Sequence, residues 1–155
     1  MIKINLLKKE NFEKYGIIIE PQDKNKIFDV ICKEESKVGW RIGYLVMTPQ
    51  EVSTIEAHPH SMETFEPVKG TSIIIVAEPN SPQNIEAFLL DKPVCLNKGV
   101  WHGILVLSET AEIKITENLE VDSVYYKLEK PVNIYIGWTC SFKKLFFINF
   151  FNSVN

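Results

Sequence analysis

Three histidines, the full complement of the chain, fall in two short stretches of sequence. His58 and His60 lie two positions apart, and Glu63 follows them closely. Because side chains two positions apart on a strand point to the same side, this pair can present two imidazoles to one pocket, with Glu63 just beyond the turn. His102 can join them if its strand lies beside or opposite theirs. Three imidazoles and one carboxylate suit a divalent metal with open coordination positions, so the sequence predicts a metal site at these four residues.

Each of these side chains also has an ordinary structural interpretation. His60 can be a solvated histidine in a proline-flanked bend, and a lone His102 in an apolar strand can be a hydrogen-bonded core residue. The importance of His102 therefore depends on its pairing with His58. Glu63 and Glu66 can both be surface carboxylates, and Glu66, which lies on a strand-like register just before Pro67, ranks below Glu63 as a candidate.

Two further side chains are candidates for substrate contact. Arg41 stands alone among apolar strand residues, so it binds an anion if it faces inward and is solvated if it faces outward. Trp101 directly precedes His102, and it either contacts the substrate or packs in the core.

Short apolar runs separated by proline, glycine and polar turns must position these residues. Such runs are typical of an all-β sandwich, barrel or jelly roll. A short early helix is predicted over residues 8–15, ended by Gly16, while residues 84–90 fit either one turn of helix or a short strand. The predicted strands cover residues 17–19, 27–32, 40–47, 52–60, 71–77, 99–107, 113–115, 124–128 and 132–136.

Two segments have an unusual apolar pattern. The strand predicted over residues 40–47 alternates, and it places four large side chains on one face, namely Trp40, Ile42, Tyr44 and Val46. The tail, residues 142–155, is rich in aromatic residues and fits either a terminal element packed on the barrel or a dimer contact.

The composition limits the classes of protein to which the chain can belong. A length of 155 residues with 45% hydrophobic residues fits one domain with a real core, residues 1–155. The net charge is −3 and the basic residues are scattered, which excludes the basic stripe of a nucleic-acid-binding protein. Cys32, Cys95 and Cys140 show no disulfide or zinc spacing, and no apolar run reaches the ~18 residues of a membrane span. These features predict a cytoplasmic protein.

Several phrases of the sequence together resemble the ureidoglycolate lyase (ureidoglycolate hydrolase) family, a branch of the cupins. The resemblance covers most of residues 5–110, and its most specific part is the pairing of the His-Pro phrase with Gly-Val-Trp-His. The matching phrases are Phe12-x-x-Tyr15-Gly16, Glu56-x-His58-Pro59-x-Ser61-x-Glu63-x-Phe65-x-Pro67, Ile73-Ile74-Ile75-Val76-Ala77, Ala87-Phe88 and Gly99-Val100-Trp101-His102. The resemblance implies a cupin-type double-stranded β-helix, a jelly-roll barrel with a short N-terminal helix, that forms a homodimer.

The resemblance also implies roles for individual residues. His58 and His102 match the family's site histidines, and Glu63 stands where the family typically has Gln. Phe65 and Trp101 match its aromatic positions, which are expected to contact the substrate.

The chain departs from the family pattern at several positions. Ala57 replaces an arginine that would anchor a carboxylate, Gly103 replaces a second histidine, and Asn97 replaces a proline. Relative to the general cupin metal motif, Glu63 is one residue too close to His60, whereas Gly70 falls at the expected distance.

By this resemblance, the expected reaction splits ureidoglycolate into glyoxylate and urea, in the recovery of nitrogen from purines and allantoin. Expelling urea needs a base at the substrate hydroxyl and an acid at the leaving nitrogen. His102 or His58 would be the base and Glu63 its partner, with a divalent metal (Zn, Ni, Mn or Fe) as a possible cofactor. The alternative is a metal-dependent or non-catalytic cupin that binds another small carboxylate or a sugar acid. Neither function needs a nucleic-acid or membrane partner.

Overall fold

The computed structural model describes residues 2–138 and 144–150, and the side chains of residues 2–134. The strands in chain order are β1 (Ile4–Leu6), β2 (Gly16–Ile18), β3 (Trp40–Met47), β4 (Val52–Ala57), β5 (Glu63–Lys69), β6 (Ser72–Ala77), β7 (Glu86–Leu89), β8 (Val94–Leu96), β9 (Trp101–Val106), β10 (Ala111–Asn118), β11 (Val124–Trp138) and β12 (Lys144–Phe150). A four-residue helix, α1 (Lys9–Phe12), lies between β1 and β2.

The strands are divided between two sheets. The larger sheet has seven strands in the order β1, β7, β6, β9, β4, β11 and β12, and the smaller has five in the order β2, β8, β5, β10 and β3. All pairs are antiparallel except β1 with β7. Because consecutive strands along the chain often lie in different sheets, residues distant in sequence meet between the two layers.

The main hydrophobic core lies between the sheets. The alternation of each strand sends one set of side chains inward, and the inward residues of both sheets form one buried cluster. Phe12 of the helix, Tyr15 and Phe88 close one end of it with edge-on ring contacts. At the other end, apolar side chains give way to the polar residues of the candidate site.

A second buried cluster covers the opposite face of the larger sheet. Strand β6 is buried on both faces, because Ile74 and Val76 belong to the main core while Ile73 and Ile75 belong to the second cluster. This explains why the β6 sequence is a continuous apolar run rather than an alternating one.

The predicted all-β class with a short N-terminal helix is confirmed, and two facing sheets are compatible with the cupin-type jelly roll. The helix α1 is shorter than the one predicted over residues 8–15. The segment 84–90, for which the sequence allowed a helical turn or a strand, contains the strand β7. The two runs predicted over residues 124–136 form one strand, β11, with a shift of register between Lys127 and Val132.

Three other predictions of secondary structure need correction. The strand predicted over residues 27–32 is wrong, because the described segment 19–39 contains no strand and its Ile27 and Phe28 are exposed. Strand β4 ends at Ala57 rather than at residue 60. No strand is predicted at β1, β5 or β8.

Part of the aromatic tail pairs with the larger sheet. Strand β12 forms an antiparallel pair with β11 along residues 144–150. The rest of the predicted tail, residues 142–143 and 151–155, lies outside the described residues, as does Cys140. No helix in the described part of the chain has the length and hydropathy needed to cross a bilayer.

Candidate functional site

His58 is held at the point where strand β4 ends. It is the first residue after the strand, and its side chain is buried. Its carbonyl accepts a hydrogen bond of 2.8 Å from the backbone N–H of Gly99. Gly99 has a φ of +79°, a conformation that glycine adopts without steric cost. This backbone bond ties His58 to the turn that begins the strand bearing His102.

His102 reaches the same space from strand β9. Its Cα is paired with that of Glu56 on β4, so the two lie on neighbouring strands of the larger sheet. Its Nδ1 lies 3.0 Å from the Val100 carbonyl oxygen. Since a carbonyl oxygen only accepts, Nδ1 carries the proton and the lone pair of a neutral His102 is on Nε2, which faces Glu63.

Glu63 enters from the smaller sheet and lies between the two histidines. Its Oε2 is 3.1 Å from His58 Nε2 and 3.0 Å from His102 Nε2, and all three side chains are at least 93% buried. The two imidazole rings have their centres 5.1 Å apart. Phe65, two residues further along β5, closes one side with an edge contact to the His102 ring at 5.3 Å.

Charge interactions in this cluster change the affinity of its groups for protons. Burial by itself would raise the pKa of Glu63, but the contacts with His102 and His58 lower it to about 2. Burial would lower the pKa of His58, yet the hydrogen bond with Glu63 and the charges of Glu63 and Glu56 raise it above its usual value. The cluster therefore favours a carboxylate beside an imidazolium.

The donor set fits a metal ion. Glu63 Oε2 and His102 Nε2 lie at hydrogen-bonding distance, but both are buried without a well-directed hydrogen-bond partner. Two acceptors that face each other need a proton or a cation between them. Ligand atoms about 2.0–2.2 Å from a common metal are about 3 Å apart at right angles, which matches the two contacts of Glu63. His58, Glu63 and His102 could therefore hold a divalent ion.

Two more carboxylates surround the histidines, and the sequence analysis did not identify them. Glu56 Oε1 lies 3.9 Å from His102 Nε2, and Glu117 Oε2 lies 4.0 Å from His58 Nε2. Glu56, His58 and His102 form one possible metal-binding group, and His58, Glu63 and Glu117 form another. The strand rule could have indicated both acids from the sequence. Glu56 is two positions from His58, and Glu117 continues the inward alternation of Ile113 and Ile115 on β10.

These groups line a pocket of about 550 Å³ between the two sheets. Arg41 lies on its wall, half exposed, and its Nε and Nη2 are each 2.9 Å from Glu117 Oε1. This arginine therefore faces the pocket rather than open solvent alone. Ser123 also lines the pocket, with Oγ 3.2 Å from His58 Nδ1, and Tyr125 lines it from strand β11.

The structure does not bring His60 into the cluster. Because strand β4 ends at Ala57, the rule that alternate residues share a face no longer applies at residue 60. His60 is exposed in the following bend, where its carbonyl accepts a hydrogen bond from Asn118 Nδ2.

Trp101 and Glu66 also point away from the pocket. The Trp101 Nε1–H donates to the Pro79 carbonyl at 3.0 Å, and its ring packs against Tyr126 in the second hydrophobic cluster. Glu66 lies 2.8 Å from Lys114 on the neighbouring strand. Of the candidates from the sequence, the pocket therefore contains His58, Glu63, His102, Phe65 and Arg41.

Comparisons with known proteins place this arrangement in context. A family model described as Ureidoglycolate lyase matches residues 43–131. Three similar solved structures are a TDP-quinovose 3,4-ketoisomerase from Campylobacter jejuni (TM-score 0.44, 18% identity, 53% of this chain), vicilin from tomato (0.43, 20%, 57%) and an oxalate oxidase in complex with the substrate analogue glycolate (0.43, 11%, 80%).

The coverage of these structures differs widely. The matched region spans 64% of the ketoisomerase chain, 26% of vicilin and 80% of the oxalate oxidase. None of the curated proteins compared with the chain matches it.

The family match has a direct relation to the pocket. The matched segment takes up more than half of the chain, and it contains both buried histidines and the three carboxylates around them. On this basis, the chain belongs to the ureidoglycolate lyase family.

Proposed function

We propose that the protein is a lyase that splits ureidoglycolate into glyoxylate and urea. The observation that carries this proposal is the convergence of two buried imidazole nitrogens on one carboxylate, at 3.0 and 3.1 Å, inside a pocket of a chain of this family. A pocket of about 550 Å³ is ample for a substrate of this size. Imidazole groups also suit the two proton transfers that the reaction needs.

The proposed reaction is an elimination at the carbon that carries both the hydroxyl and the urea nitrogen. His102 is the base, because its Nδ1 proton is held by the Val100 carbonyl and its Nε2 lone pair faces the pocket. It removes the hydroxyl proton, the carbon–nitrogen bond breaks, and the oxygen electrons form the carbonyl of glyoxylate.

His58 is the proposed acid for the leaving nitrogen. Its raised pKa favours the imidazolium, which can protonate the nitrogen as urea departs. Glu63 contacts both rings, so its carboxylate orients them and stabilises the positive charge that each carries during a cycle. A metal held by His58, Glu63 and His102 would occupy the Nε2 atoms of both imidazoles, so its Lewis-acid polarisation of substrate oxygens would replace the proton transfers at those atoms.

Arg41 is the proposed anchor for the substrate carboxylate. Among the described residues that line the pocket, it is the one arginine or lysine. Its guanidinium already contacts one oxygen of Glu117 through two nitrogens, so its donors lie within reach of a carboxylate on this wall of the pocket. It thereby takes the role that the arginine missing at Ala57 would have in the family pattern.

Incubating the purified protein with ureidoglycolate and measuring glyoxylate tests the proposal. The assay runs with and without added Zn, Ni, Mn or Fe, against the uncatalysed rate. Enzymatic release that falls by a factor of ~10²–10⁴ in His102→Asn supports it. Release no faster than the uncatalysed rate under every metal condition rejects the lyase.

A metal-dependent cupin acting on another small carboxylate or sugar acid is the second candidate. The observation that favours it is the group of three carboxylates, Glu56, Glu63 and Glu117, around the histidines. Such a set attracts cations more than it attracts an anionic substrate. Metal analysis of the native protein discriminates: a stoichiometric transition metal without ureidoglycolate turnover favours this second function.

We also propose a cytoplasmic homodimer. The dimer is supported by the outer face of β3, where Trp40, Ile42, Tyr44 and Val46 are all more than half exposed at a sheet edge. Light scattering coupled to gel filtration tests this state, and a single-chain mass at micromolar concentration rejects it. The cytoplasm is supported by the two described cysteines, which are free thiols.

A further inference from the structure

Two cysteines that are 63 positions apart in the sequence share one cavity. Cys32 and Cys95 both line a cavity of about 300 Å³ on the outer side of the smaller sheet. Cys95 faces this side because its neighbours on β8, Val94 and Leu96, point into the main core. Cys32 belongs to the irregular segment 19–39, which lies against the same side of the sheet.

The two thiols are close enough to affect each other. Burial raises the pKa of the Cys95 thiol, and its interaction with the Cys32 side chain raises this pKa further. Cys95 is only 4% exposed, whereas Cys32 is partly exposed. The Cys32 thiol is therefore more accessible to a reagent than the buried Cys95 thiol in the same cavity.

Contacts on both sides of Cys32 hold it in this position. Glu34 lies 2.6 Å from Lys98, which follows β8, and the Ile19 N–H donates to the Pro93 carbonyl at 2.8 Å. At the other end of the segment, the Gly39 carbonyl accepts from the Leu119 N–H at 2.9 Å. Since the segment is fixed at three points, Cys32 is held beside the cavity that it shares with Cys95.

We propose that Cys32 and Cys95 form a reversible disulfide when the protein meets a small-molecule disulfide such as glutathione disulfide. In the first step the Cys32 thiolate attacks one sulfur and breaks the sulfur–sulfur bond, which gives a mixed disulfide and a glutathione thiolate that takes up a proton from water. In the second step the Cys95 sulfur attacks the Cys32 sulfur, the bond from Cys32 to glutathione breaks, and the departing glutathione leaves as a thiol with the proton that Cys95 gives up. The glutathione disulfide is reduced to two thiols, and the two cysteines are oxidised.

The cross-link would act on the wall of the pocket. Segment 19–39 leads directly into β3, which carries Arg41 and is held in the smaller sheet by β10 alone. A disulfide would fasten this segment to β8, on the far side of β5 and β10. Because it closes a long loop, it would also restrict the unfolded chain strongly, which corresponds to an increase in Tm of about 10 °C.

The test uses the full chain with Cys140→Ser, so that Cys32 and Cys95 are its two thiols. After treatment with glutathione disulfide without denaturant, we expect the loss of both thiols, a mass lower by two hydrogens, and a peptide joining Cys32 to Cys95. Adding dithiothreitol should restore both thiols and the original Tm. A stable glutathione adduct on Cys32 with no cross-link overturns the proposal, and so does a cross-link that appears only in urea.

Single-cysteine variants provide the matched controls. With Cys140→Ser in the background, Cys95→Ser should accumulate the glutathione adduct on Cys32, because no second thiol can displace it. Cys32→Ser should react at least tenfold more slowly than Cys95→Ser, because its one thiol is buried. Equal reactivity of the two variants would contradict the order of attack and the sheltered position of Cys95.

Discussion

Replacing Glu63 with glutamine tests the electrostatics of the buried cluster. The substitution keeps the size and shape of the side chain but removes the negative charge between His58 and His102. The pKa of Glu63 is about 2 in the folded protein instead of 4.5. Folding therefore shifts its ionisation equilibrium toward the charged form by about two and a half powers of ten. At about 1.4 kcal/mol for each factor of ten, this preference is worth about 3 kcal/mol of stability, to within a factor of about two.

The pH at which this stability appears follows from the direction of each shift. Because the pKa of Glu63 is lower in the folded protein, its contribution is present above about pH 4.5 and is lost as the pH falls toward 2. The pKa of His58 is raised, so its contribution is present below about pH 6.5 and is lost as the pH rises through the folded value. The metal-free protein should therefore exceed Glu63→Gln in stability most clearly between about pH 4.5 and 6.5.

Urea unfolding of both proteins after treatment with a chelator, from pH 2.5 to 9, measures this difference. Subtracting the two curves cancels the titration of the carboxylates that lie outside this cluster. The matched control is Glu66→Gln, on the same strand, whose carboxylate contacts Lys114 instead of a histidine; its difference from wild type should stay below about 1 kcal/mol. A Glu63→Gln difference that is constant with pH would refute the proposed coupling between Glu63 and the imidazoles.

Four other substitutions separate the site from its scaffold. We expect His102→Asn to lower kcat for ureidoglycolate by ~10²–10⁴, while His60→Asn, at an exposed position, changes it less than about threefold; steady-state kinetics of both variants measure this. Phe88→Ala should cost about 3–5 kcal/mol in urea unfolding, because Phe88 is completely buried among aromatic rings. Gly99→Ala should cost about 1–2 kcal/mol, since φ is +79° there, and should weaken metal binding in calorimetry by displacing His58.

The sequence contained enough information to predict the all-β class and the meeting of His58, Glu63 and His102. Strand alternation and the apolar runs fixed the class, because both patterns persist over several strands. The prediction failed at β5, where Pro67 interrupts the pattern, and at β1 and β8, which have three residues each. It also failed at residues 27–32, where an apolar run has no partner strand and its first side chains are exposed.

The error at His60 and the omission of Glu117 have different origins. The prediction extended β4 to residue 60, so His60 was expected beside His58, whereas the bend after Ala57 turns it toward solvent. The same strand rule could have identified Glu117, because Ala111, Ile113 and Ile115 already point inward on β10. The rule that alternate residues share a face is reliable within a strand. It gives no information beyond the end of the strand, and the alternation of residue types does not locate that end.

The charges of the pocket limit how it can bind an anionic substrate. Three carboxylates line it, and Arg41 is already engaged by Glu117. Two unit charges 4 Å apart interact by about 4 kcal/mol at the effective dielectric of a protein surface, so an incoming carboxylate needs a second positive charge nearby. Protonated His58 supplies that charge only below its raised pKa, whereas a divalent ion supplies it at any pH at which the ion stays bound. Substrate affinity that declines as the pH rises through the titration of His58 therefore indicates a metal-free site, and affinity that persists through it indicates a metal centre.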